Sequence, residues 1–234
     1  MRKTAVIVAG GSGKRMGASV PKQFLMLADK PILFHTISKF LTHDKSLLIA
    51  LVLPKAHFSF WEENAEAYLS KEEQARILLC PGGKTRTQSV QEGLLKLSQS
   101  FKDLKDVYVA IHDGVRPLIK QEVINNSFML ALEKGAAVVC VPVKSSMREE
   151  VSPGKSQAVD RSRFYHVQTP QTFPLVKILK AFATRTHDDF TDDASLYDAF
   201  GESVAICMGT YDNIKITTPE DLPLAESILR GESA

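Results

Sequence analysis

Cysteine is scarce in this sequence, and its spacing excludes two kinds of site. Cys80, Cys140 and Cys207 are the only three cysteines among 234 residues. An odd number of widely separated cysteines fits neither a disulfide framework nor a Cys-x-x-Cys metal site. Each of them follows or lies within an apolar run, so we expect buried thiols.

Long hydrophobic runs and an excess of one charge are also lacking. No apolar stretch approaches the roughly 18 residues of a membrane-spanning helix. The formal net charge of +2 is too small for a surface that coats nucleic acid, so any basic chemistry must be local. We therefore expect neither a membrane nor a nucleic acid among the partners.

The amino terminus, MRKTAVIVAGG, is similar to a signal peptide, because basic residues precede a short apolar run. Its apolar run is shorter than a signal-peptide core of roughly 7 to 15 residues, and the sequence runs on into GKR. We interpret this run as a first strand and expect a cytoplasmic protein.

What the sequence does contain is a series of short apolar runs. They are TAVIVA, SLLIALVLP, ARILLC, VYVAIHD and AAVVCVPV, with amphipathic stretches between them. This alternation predicts a Rossmann-like α/β fold, in which helices cover both faces of a largely parallel, twisted sheet. No linker or repeat interrupts it, so we predict a single domain over 1–234. We also predict a closing helix with Thr218 as its cap, Pro219 as its first residue and Gly231 as its stop.

One segment breaks the alternation. Residues 144–168 are polar and carry SPGKS at their centre, which is typical of a turn between two extended segments. We predict a β-hairpin arm that projects from the sheet over about 144–168; a mobile surface loop is the alternative. Because an isolated hairpin buries little against its own chain, we expect the arm to lean on a partner.

The loop after the first apolar run is rich in glycine and in cations. From Gly11 it reads G-x-G-x-x-M, so the third small residue of the dinucleotide fingerprint is missing, and the first glycine of a P-loop is missing as well. What remains is a turn whose backbone amides can approach a polyphosphate, with Lys14, Arg15 and Lys22 close in sequence. A tight turn with solvated lysines is the alternative.

Two further loops follow apolar runs, where open α/β sheets bind ligands. In CPGGKTRTQSV, the Gly-Gly pair can pack against a flat base and Ser89 can add a polar contact; an ordinary strand-to-helix connection is the alternative. In VYVAIHDGVRP, Asp113 is a candidate for holding a divalent metal or a sugar hydroxyl; an ion pair with Arg116 is the alternative. His112 is predicted to pack or brace the loop, because no second ligand stands at metal-binding spacing.

Three more polar clusters lie in the second half of the chain. They are VDRSRFYHVQTPQTF, DDFTDDASLYDAFG and YDNIKITTPEDL. Arg161 and Lys215 are cations whose neighbours suggest fixed positions. Asp192 and Asp193 open a helix and are explained, at least in part, as N-terminal capping charges.

Taken together, these motifs resemble the 2-C-methyl-D-erythritol 4-phosphate cytidylyltransferase family. The matching motifs are, in order, AGGSGKRM…PKQF, GGKTRTQSV, HDGVRP, VDR, TPQTF, TDDAS and DNIKITTPEDL, and they extend over nearly the whole chain. The resemblance implies that CTP and a polyol phosphate react, with Mg²⁺, to give a CDP-alcohol and pyrophosphate in non-mevalonate isoprenoid synthesis. The attacking phosphomonoester has a second pKa of about 6, so it is mostly deprotonated at neutral pH and needs no catalytic base. This agrees with a sequence that contains no convincing set of nucleophile, base and orienting acid.

The resemblance also implies roles for individual residues. Arg15 and Lys22 are the expected catalytic residues, which hold the triphosphate and the charge that develops at the α-phosphorus. The expected nucleotide-binding residues are Ala9, Gly10, Gly11, Gly13, Gly83, Lys84 and Ser89. The expected substrate-binding residues are Asp113, Arg116, Ser146, Arg161, Thr169, Thr191 and Lys215, and Asp113 is also the candidate metal ligand. Arg161 would reach from the arm into the partner subunit's site, which makes the arm the dimerisation element of a homodimer.

The sequence departs from the family at one position of the acceptor site. After VPV the family usually has Asp-Thr, whereas this chain has Ser145 and Ser146. Ser146 keeps the hydroxyl group but lacks the methyl group. Ribitol-5-phosphate cytidylyltransferase, another sugar nucleotidyltransferase and a non-catalytic nucleotide-binding regulatory module are therefore alternatives. The full set of phosphate-facing cations argues against the last of these.

Overall fold

A seven-stranded sheet forms the centre of the computed structural model, which describes residues 1–10 and 20–231. The strands of the described residues are, in chain order, β1 (Arg2–Val8), β2 (Met26–Leu27), β3 (Lys30–Pro31), β4 (Leu48–Leu53), β5 (Ile77–Pro81), β6 (Val107–Asp113), β7 (Ala137–Pro142), β8 (Met147–Ser152), β9 (Lys155–Val159), β10 (Tyr165–Pro174) and β11 (Ala205–Met208). The central sheet has the order β11-β7-β10-β6-β1-β4-β5. Only β10 runs antiparallel to its neighbours in this sheet, which confirms the predicted, largely parallel arrangement.

Helices cover both faces of this sheet, as the alternating pattern predicts. They are α1 (Ile32–His43), α2 (Phe58–Tyr68), α3 (Lys71–Gln74), α4 (Arg86–Ser98), α5 (Gln121–Lys134), α6 (Leu175–Thr184), α7 (Asp193–Ala199) and α8 (Asp221–Leu229). Side chains from α1, α2 and α5 form one hydrophobic core, and side chains from α4, α6 and α7 form a second. The Rossmann-like α/β fold is thus confirmed.

The alternation of side chains along β1 separates the two cores. Ala5 and Ile7 belong to the first core and Val6 belongs to the second, because successive strand residues point to opposite faces. Gly93 of α4 allows that helix to lie close to the strand, since a Cβ at this position would lie 2.6 Å from Cγ1 of Val6. This close packing places the amino end of α4 beside the carboxyl end of β1.

The apolar runs do not predict β10 and β11. The sequence of β10 contains Gln168, Pro170, Gln171 and Pro174, and proline normally argues against a central strand because it cannot donate to the ladder. A break in the pairing of β10 with β7 between Val167 and Gln171 accommodates this sequence. The polar strand that results carries side chains such as Thr169 to the carboxyl end of β6, one of its two antiparallel neighbours.

The hairpin arm is shorter than the predicted 144–168. Its strands β8 and β9 pair with each other over 147–159, and Gly154 in the turn has a φ of +74°. From Tyr165 onward the chain is already part of the central sheet, because Tyr165 pairs with Pro142 of β7. The carboxyl end of the predicted arm is therefore wrong, since this segment obtains its partner from the sheet.

The closing helix also differs from the prediction at its start. It begins at Asp221 rather than at Pro219. The Asp221 carboxylate accepts hydrogen bonds from the backbone amides of Thr217 and Thr218 at 2.7 and 2.8 Å, which holds the preceding residues in a turn. Gly231, with a φ of +75°, follows the end of the helix as predicted.

The three cysteines are free and buried, which confirms the burial predicted from the apolar runs around them. In residues 1–10 and 20–231, no helix combines the length and the apolar character that crossing a membrane requires.

Candidate active site

The parallel strands β6, β1 and β4 are neighbours in the central sheet, and their carboxyl ends lie side by side at the same edge. From β1 the chain adds β4 and β5 on one side and then returns to add β6 on the other. Ligands of open α/β sheets bind at such a switch point. Ala9 and Gly10 follow β1 here, and Asp113 ends β6. The Ala9 amide donates to the Val52 carbonyl at 2.9 Å, which keeps β1 and β4 in register at this edge.

A cavity of about 230 Å³ opens at this edge, and we call it the first cavity. It is lined by Val8, Ala9, Gly10, Lys22, Gln23, Gly83, Lys84, Thr85, Arg86, Ser89, Asp113, Val115 and Lys215. The fold thus brings together the predicted catalytic Lys22 and the predicted nucleotide-binding Ala9, Gly10, Gly83, Lys84 and Ser89. The remaining predicted members of this set, Gly11, Gly13 and Arg15, lie outside the described residues.

The loop from Gly83 to Ser89 is braced by the side chain at its end. Ser89 Oγ accepts a hydrogen bond from the Gly83 amide at 3.1 Å and donates one to the Thr85 carbonyl at 2.8 Å. Gly83 must lack a side chain, because a Cβ there would lie 2.5 Å from Cβ of Gln88. The loop therefore presents bare backbone to the cavity, and Ser89 holds it in shape in addition to any contact with a base.

Lys22 is positioned by its buried neighbour. Lys22–Phe24 forms a single 3-10 turn, and the Gln23 amide group donates to the Ala9 carbonyl at 2.9 Å and lies 3.1 Å from Nδ1 of His57. Gln23 is fully buried. This contact ties the turn to the end of β1, so Lys22 stands at the wall of the first cavity.

Asp113 lies at the centre of a cluster of cations. Its Oδ2 is 3.1 Å from both Nε of Arg116 and Nζ of Lys215, and its Oδ1 is 3.9 Å from Nε of Arg86. Burial by itself would raise the pKa of this carboxyl, but Lys215, Arg86 and Arg116 outweigh it and hold the pKa well below the usual range. Asp113 is therefore ionised and orients three positive groups. The ion pair with Arg116, an alternative reading of the sequence, is present.

His112 and Thr169 form a buried support behind Asp113. His112 Nδ1 is 2.9 Å from Oγ1 of Thr169, and its Nε2 is 3.2 Å from the Arg116 carbonyl. Thr169 Oγ1 also accepts a hydrogen bond from the Asp113 amide at 3.1 Å. Burial lowers the pKa of His112 to about 4, so the ring is neutral at physiological pH. The predicted bracing role of His112 agrees with these contacts.

A second cavity of about 300 Å³ adjoins the first on the β10 side of Asp113. It is lined by Arg86, Asp113, Arg116, Val167, Gln168, Thr169, Gln171, Thr191, Asp192 and Lys215. Five of the predicted substrate-binding residues are among them, namely Asp113, Arg116, Thr169, Thr191 and Lys215. Three residues, Arg86, Asp113 and Lys215, line both cavities. The boundary between two ligands would therefore fall at these three side chains.

Two predicted substrate-binding residues line neither of these cavities. Ser146 is exposed in the connection that leads to β8. Arg161 lies at the base of the arm, where its Nη1 donates to the Lys144 carbonyl. Lys144 in turn lies over the ring of Tyr211, 3.6 Å from its centroid. Within one chain, Arg161 therefore supports the arm rather than a cavity.

Four polar residues of the second cavity are not among the predicted site residues, namely Arg86, Gln168, Gln171 and Asp192. Arg86 is the first residue of α4, and its position directly after the Gly83 loop is the signal that sequence reasoning could have used. Gln171 lies on β10, where its side chain donates to Asp192 Oδ2 and accepts from the Ala194 amide, each at 2.8 Å. A glutamine in a segment with two prolines carries no comparable signal.

The two carboxylates at the start of α7 have different partners. Asp192 caps the helix as expected, because its side chain accepts from the Ser195 amide at 2.9 Å. Asp193 instead accepts two hydrogen bonds from Arg86, at 2.9 and 2.7 Å. Burial of Arg86 by itself would lower the pKa of its guanidinium. The Asp193 carboxylate outweighs burial, so the pKa of Arg86 lies above its usual value. Capping therefore explains Asp192 and not Asp193.

The described residues offer a divalent metal few protein ligands. Residues 1–10 and 20–231 contain no group of three or more His, Cys, Asp or Glu side chains that could hold a metal. Asp113 Oδ1 lies 3.9 Å from Nε of Arg86, beyond hydrogen-bonding distance, and Asp113 lines both cavities. One carboxylate oxygen completed by phosphate oxygens and water fits Mg²⁺, which typically keeps few protein ligands in phosphate-transfer sites.

Fold and site together define the class of this protein. A cavity lined by bare glycine backbone and cations at the switch point of an α/β sheet, next to a second cationic cavity, is typical of an α/β protein that binds a nucleotide beside a second ligand. The family model "IspD: 2-C-methyl-D-erythritol 4-phosphate cytidylyltransferase" matches residues 3–231. The chain belongs to this family of cytidylyltransferase enzymes.

Relatives and solved structures agree with this assignment. The 2-C-methyl-D-erythritol 4-phosphate cytidylyltransferase of Porphyromonas gingivalis strain ATCC 33277 is 44% identical over 97% of this chain and 98% of that protein. The protein of the same name from Clostridioides difficile strain 630 is 38% identical over 98% of this chain and 94% of its own length. The crystal structure of 4-diphosphocytidyl-2C-methyl-D-erythritol synthase from Anaerococcus prevotii matches with a TM-score of 0.81 at 27% identity, covering 98% of this chain and 96% of that one.

Proposed function

We propose that this chain transfers the cytidylyl group of CTP to 2-C-methyl-D-erythritol 4-phosphate, with release of pyrophosphate. The observation that carries the proposal is the pair of adjoining cavities that share Arg86, Asp113 and Lys215. A transfer between two phosphorylated ligands requires such a shared wall, because the acceptor phosphate must reach the α-phosphorus of the nucleotide in line with the departing pyrophosphate. The other activities left open by the sequence find no support among the relatives described above.

The described residues suit a reaction without a catalytic base. A phosphate oxygen of the acceptor forms a bond to the α-phosphorus, and the bond between this phosphorus and the bridging oxygen of the β-phosphate breaks. The acceptor phosphate is already mostly ionised at neutral pH, since its second pKa is about 6. His112, the histidine nearest to the boundary, is neutral and has both ring nitrogens engaged by the protein. Its role is therefore to hold Thr169 and the Asp113 loop.

Cations supply the remaining chemistry. Lys22 stands at the wall of the first cavity, where its charge would stabilise the pyrophosphate as it leaves. Lys215 and Arg116 are held by Asp113 and would bind the acceptor phosphate in the second cavity. Arg15, which lies outside the described residues, is assigned to the triphosphate by the family resemblance.

The activity is tested by pyrophosphate release from purified protein, CTP and Mg²⁺. We expect release with 2-C-methyl-D-erythritol 4-phosphate and much less with ribitol 5-phosphate. Replacement of CTP by UTP should reduce the rate strongly, because the family resemblance assigns recognition of cytosine to Gly83 and Ser89. Absence of release with either acceptor would refute the proposed activity, and faster release with ribitol 5-phosphate would change the acceptor.

We further propose that Mg²⁺ is the cofactor and that Asp113 is its protein ligand. The ion would neutralise charge on the phosphate oxygens and help to orient them. We expect activity to be lost in excess EDTA and restored by added Mg²⁺. Isothermal titration with a non-hydrolysable CTP analogue should show weaker Mg²⁺-dependent binding in Asp113→Asn. Equal binding would remove Asp113 from the metal site.

We also propose a homodimer joined through the arm. All residues of the arm from Arg148 to Ala158 are exposed, and a two-stranded hairpin of this kind is marginally stable alone. If the family resemblance holds at Arg161, its side chain would reach into the partner subunit's site. Lys22→Ala and Arg161→Ala should each be nearly inactive, and mixing them should restore part of the activity because one site of each mixed dimer is intact. No recovery despite confirmed subunit exchange would contradict the shared site.

A cytoplasmic location completes the proposal. All three cysteines are free and buried, a state that a reducing compartment maintains. Fractionation of the source cells, followed by immunodetection, tests this point. Recovery of the protein in an extracellular or envelope fraction would contradict it.

A further inference from the structure

Arg86 occupies a special position in the site because it belongs to both cavities. As the first residue of α4, it directly follows the Gly83–Thr85 stretch, which forms one wall of the first cavity. Its side chain extends to the start of α7, next to Thr191 of the second cavity. Arg86 therefore connects the nucleotide loop to the segment that borders the acceptor.

The contact of Arg86 with Asp193 is bidentate, and its carboxylate side is buried. Both oxygens of Asp193 accept from the guanidinium, at 2.9 and 2.7 Å, and the Asp193 side chain is 2% exposed. A buried ion pair is weak evidence for stability, because replacement by apolar residues is often neutral or stabilising. Its bidentate geometry, in contrast, fixes the relative position of the two segments it joins. The third nitrogen, Nε, points toward Asp113 Oδ1 at 3.9 Å.

A second contact from the same turn of α4 strengthens this connection. The Gln88 side chain accepts from the Lys84 amide at 3.0 Å and donates to Asp188 Oδ2 at 2.7 Å. Thr87 Oγ1 donates to the Asp188 carbonyl at 3.0 Å. The amino end of α4 is thus attached both to the nucleotide loop and to the connection between α6 and α7. A displacement of one cavity wall would move the other.

We propose that Arg86 is a positioning residue of the transfer, which aligns the acceptor cavity with the nucleotide cavity through its bidentate contact with Asp193. The inference rests on the proposed cytidylyl transfer. Loss of the bidentate contact would leave the acceptor phosphate misplaced relative to the α-phosphorus, and misplacement by about 1 Å can cost about 10²-fold in rate. CTP, held by the Gly83 loop and Lys22, would still bind.

The test compares Arg86→Lys with the wild type. Lysine keeps the charge but cannot make the bidentate contact, so we expect kcat to fall about 10²-fold. The KM for 2-C-methyl-D-erythritol 4-phosphate should rise about tenfold, whereas the KM for CTP should change by less than about twofold. The matched control is Arg76→Lys, because Arg76 also donates twice, to the Leu41 and Asp44 carbonyls, but precedes the amino end of β5. We expect near wild-type kinetics for Arg76→Lys.

Asp193→Asn provides an independent variant that keeps Arg86. It should show the same direction of change in the acceptor KM, with a melting temperature measured to confirm folding. An unchanged acceptor KM in both variants, or an equal rise in both KM values, would overturn the positioning role. An inactive wild type would instead refute the proposed function, so the two failures are distinguishable.

Discussion

The two cavities that adjoin at Asp113, together called the cleft, differ from the hairpin arm in the environment of their polar residues. In the cleft, His112, Asp113 and Thr169 are buried, and each is held by hydrogen bonds or ion pairs from the chain itself. In the arm, the side chains from Arg148 to Ala158 are exposed, and the cross-strand pairs join β8 only to β9. The polar groups of the cleft thus have partners within the same chain, whereas the side chains of the arm lie at the surface.

Substitutions in the cleft and in the arm should therefore have different effects. A buried polar group is expensive to leave without its partner, so changes in the cleft should affect both stability and catalysis. Exposed residues of the arm should matter little to the folding of one chain.

The largest loss is expected for Lys22→Ala. Removal of a cation next to the transferred phosphate should lower kcat by about 10³-fold or more. Among the described residues, only Lys84 and Lys215 are further lysines in the lining of the first cavity. Steady-state pyrophosphate release measures the effect. The control Lys45→Ala, an exposed lysine after α1, should retain full activity. Similar losses in both variants would contradict a specific role for Lys22.

His112→Gln should change how stability depends on pH. The folded pKa of His112 is lowered to about 4, so the fold favours the neutral ring. The stabilisation is complete above the unfolded pKa of about 6.5 and is lost as the pH falls toward 4. Over this window the wild type should lose about 3 kcal/mol of unfolding free energy that the variant does not lose.

Urea unfolding at pH 7, 5.5 and 4 measures this difference. His35, His43 and His57 also have lowered pKa values because of burial, but they are present in both proteins, so the difference isolates His112. Parallel pH profiles for the two proteins would show that His112 is not held neutral by the fold.

A smaller effect on nucleotide binding is expected for Gly83→Ala. The new Cβ would lie 2.5 Å from Cβ of Gln88, so the loop must shift, and we expect the KM for CTP to rise about tenfold. Gly135→Ala is the control, because Gly135 has a φ of +96° at the end of α5 and open space around it. It should cost about 1 kcal/mol of stability without changing the KM for CTP. Equal KM values in all three proteins would argue against a tight Gly83 loop.

The smallest effect is expected in the arm. Val151→Ser removes a side chain that is 55% exposed and should change the unfolding free energy by less than about 0.5 kcal/mol, measured at protein concentrations too low for association. The same replacement at the fully buried Val139 should cost more than about 2 kcal/mol. A comparable loss at Val151 under these conditions would mean that the arm packs against its own chain.

Much of the fold follows from local patterns. VYVAIHD corresponds to β6 (Val107–Asp113), and the amphipathic stretch between ARILLC and VYVAIHD contains α4 (Arg86–Ser98). These elements are predictable because buried parallel strands read as apolar runs and amphipathic helices repeat about every 3.6 residues. β10 is not predictable in this way, because its position in the sheet is stabilised by neighbours that are distant in sequence.

Some residues of the candidate site are likewise identifiable from local sequence, and others are not. Asp113 is identifiable because it ends an apolar strand, and the Gly83 loop is identifiable from its glycines. Arg86 and Gln171 gain their importance only from Asp193 and Asp192, which are 107 and 21 residues away in sequence. Pairs at such separations leave no periodic signal in the sequence.

By itself, the sequence determined the α/β class, the phosphate-facing loops and the family of this protein, because glycines, strand-end carboxylates and apolar runs act locally and in a specific order. Only the tertiary structure decided that two cavities adjoin at Arg86, Asp113 and Lys215. The physical reason is that strand order and helix packing, which depend on contacts between distant segments, set which side chains share a charge environment.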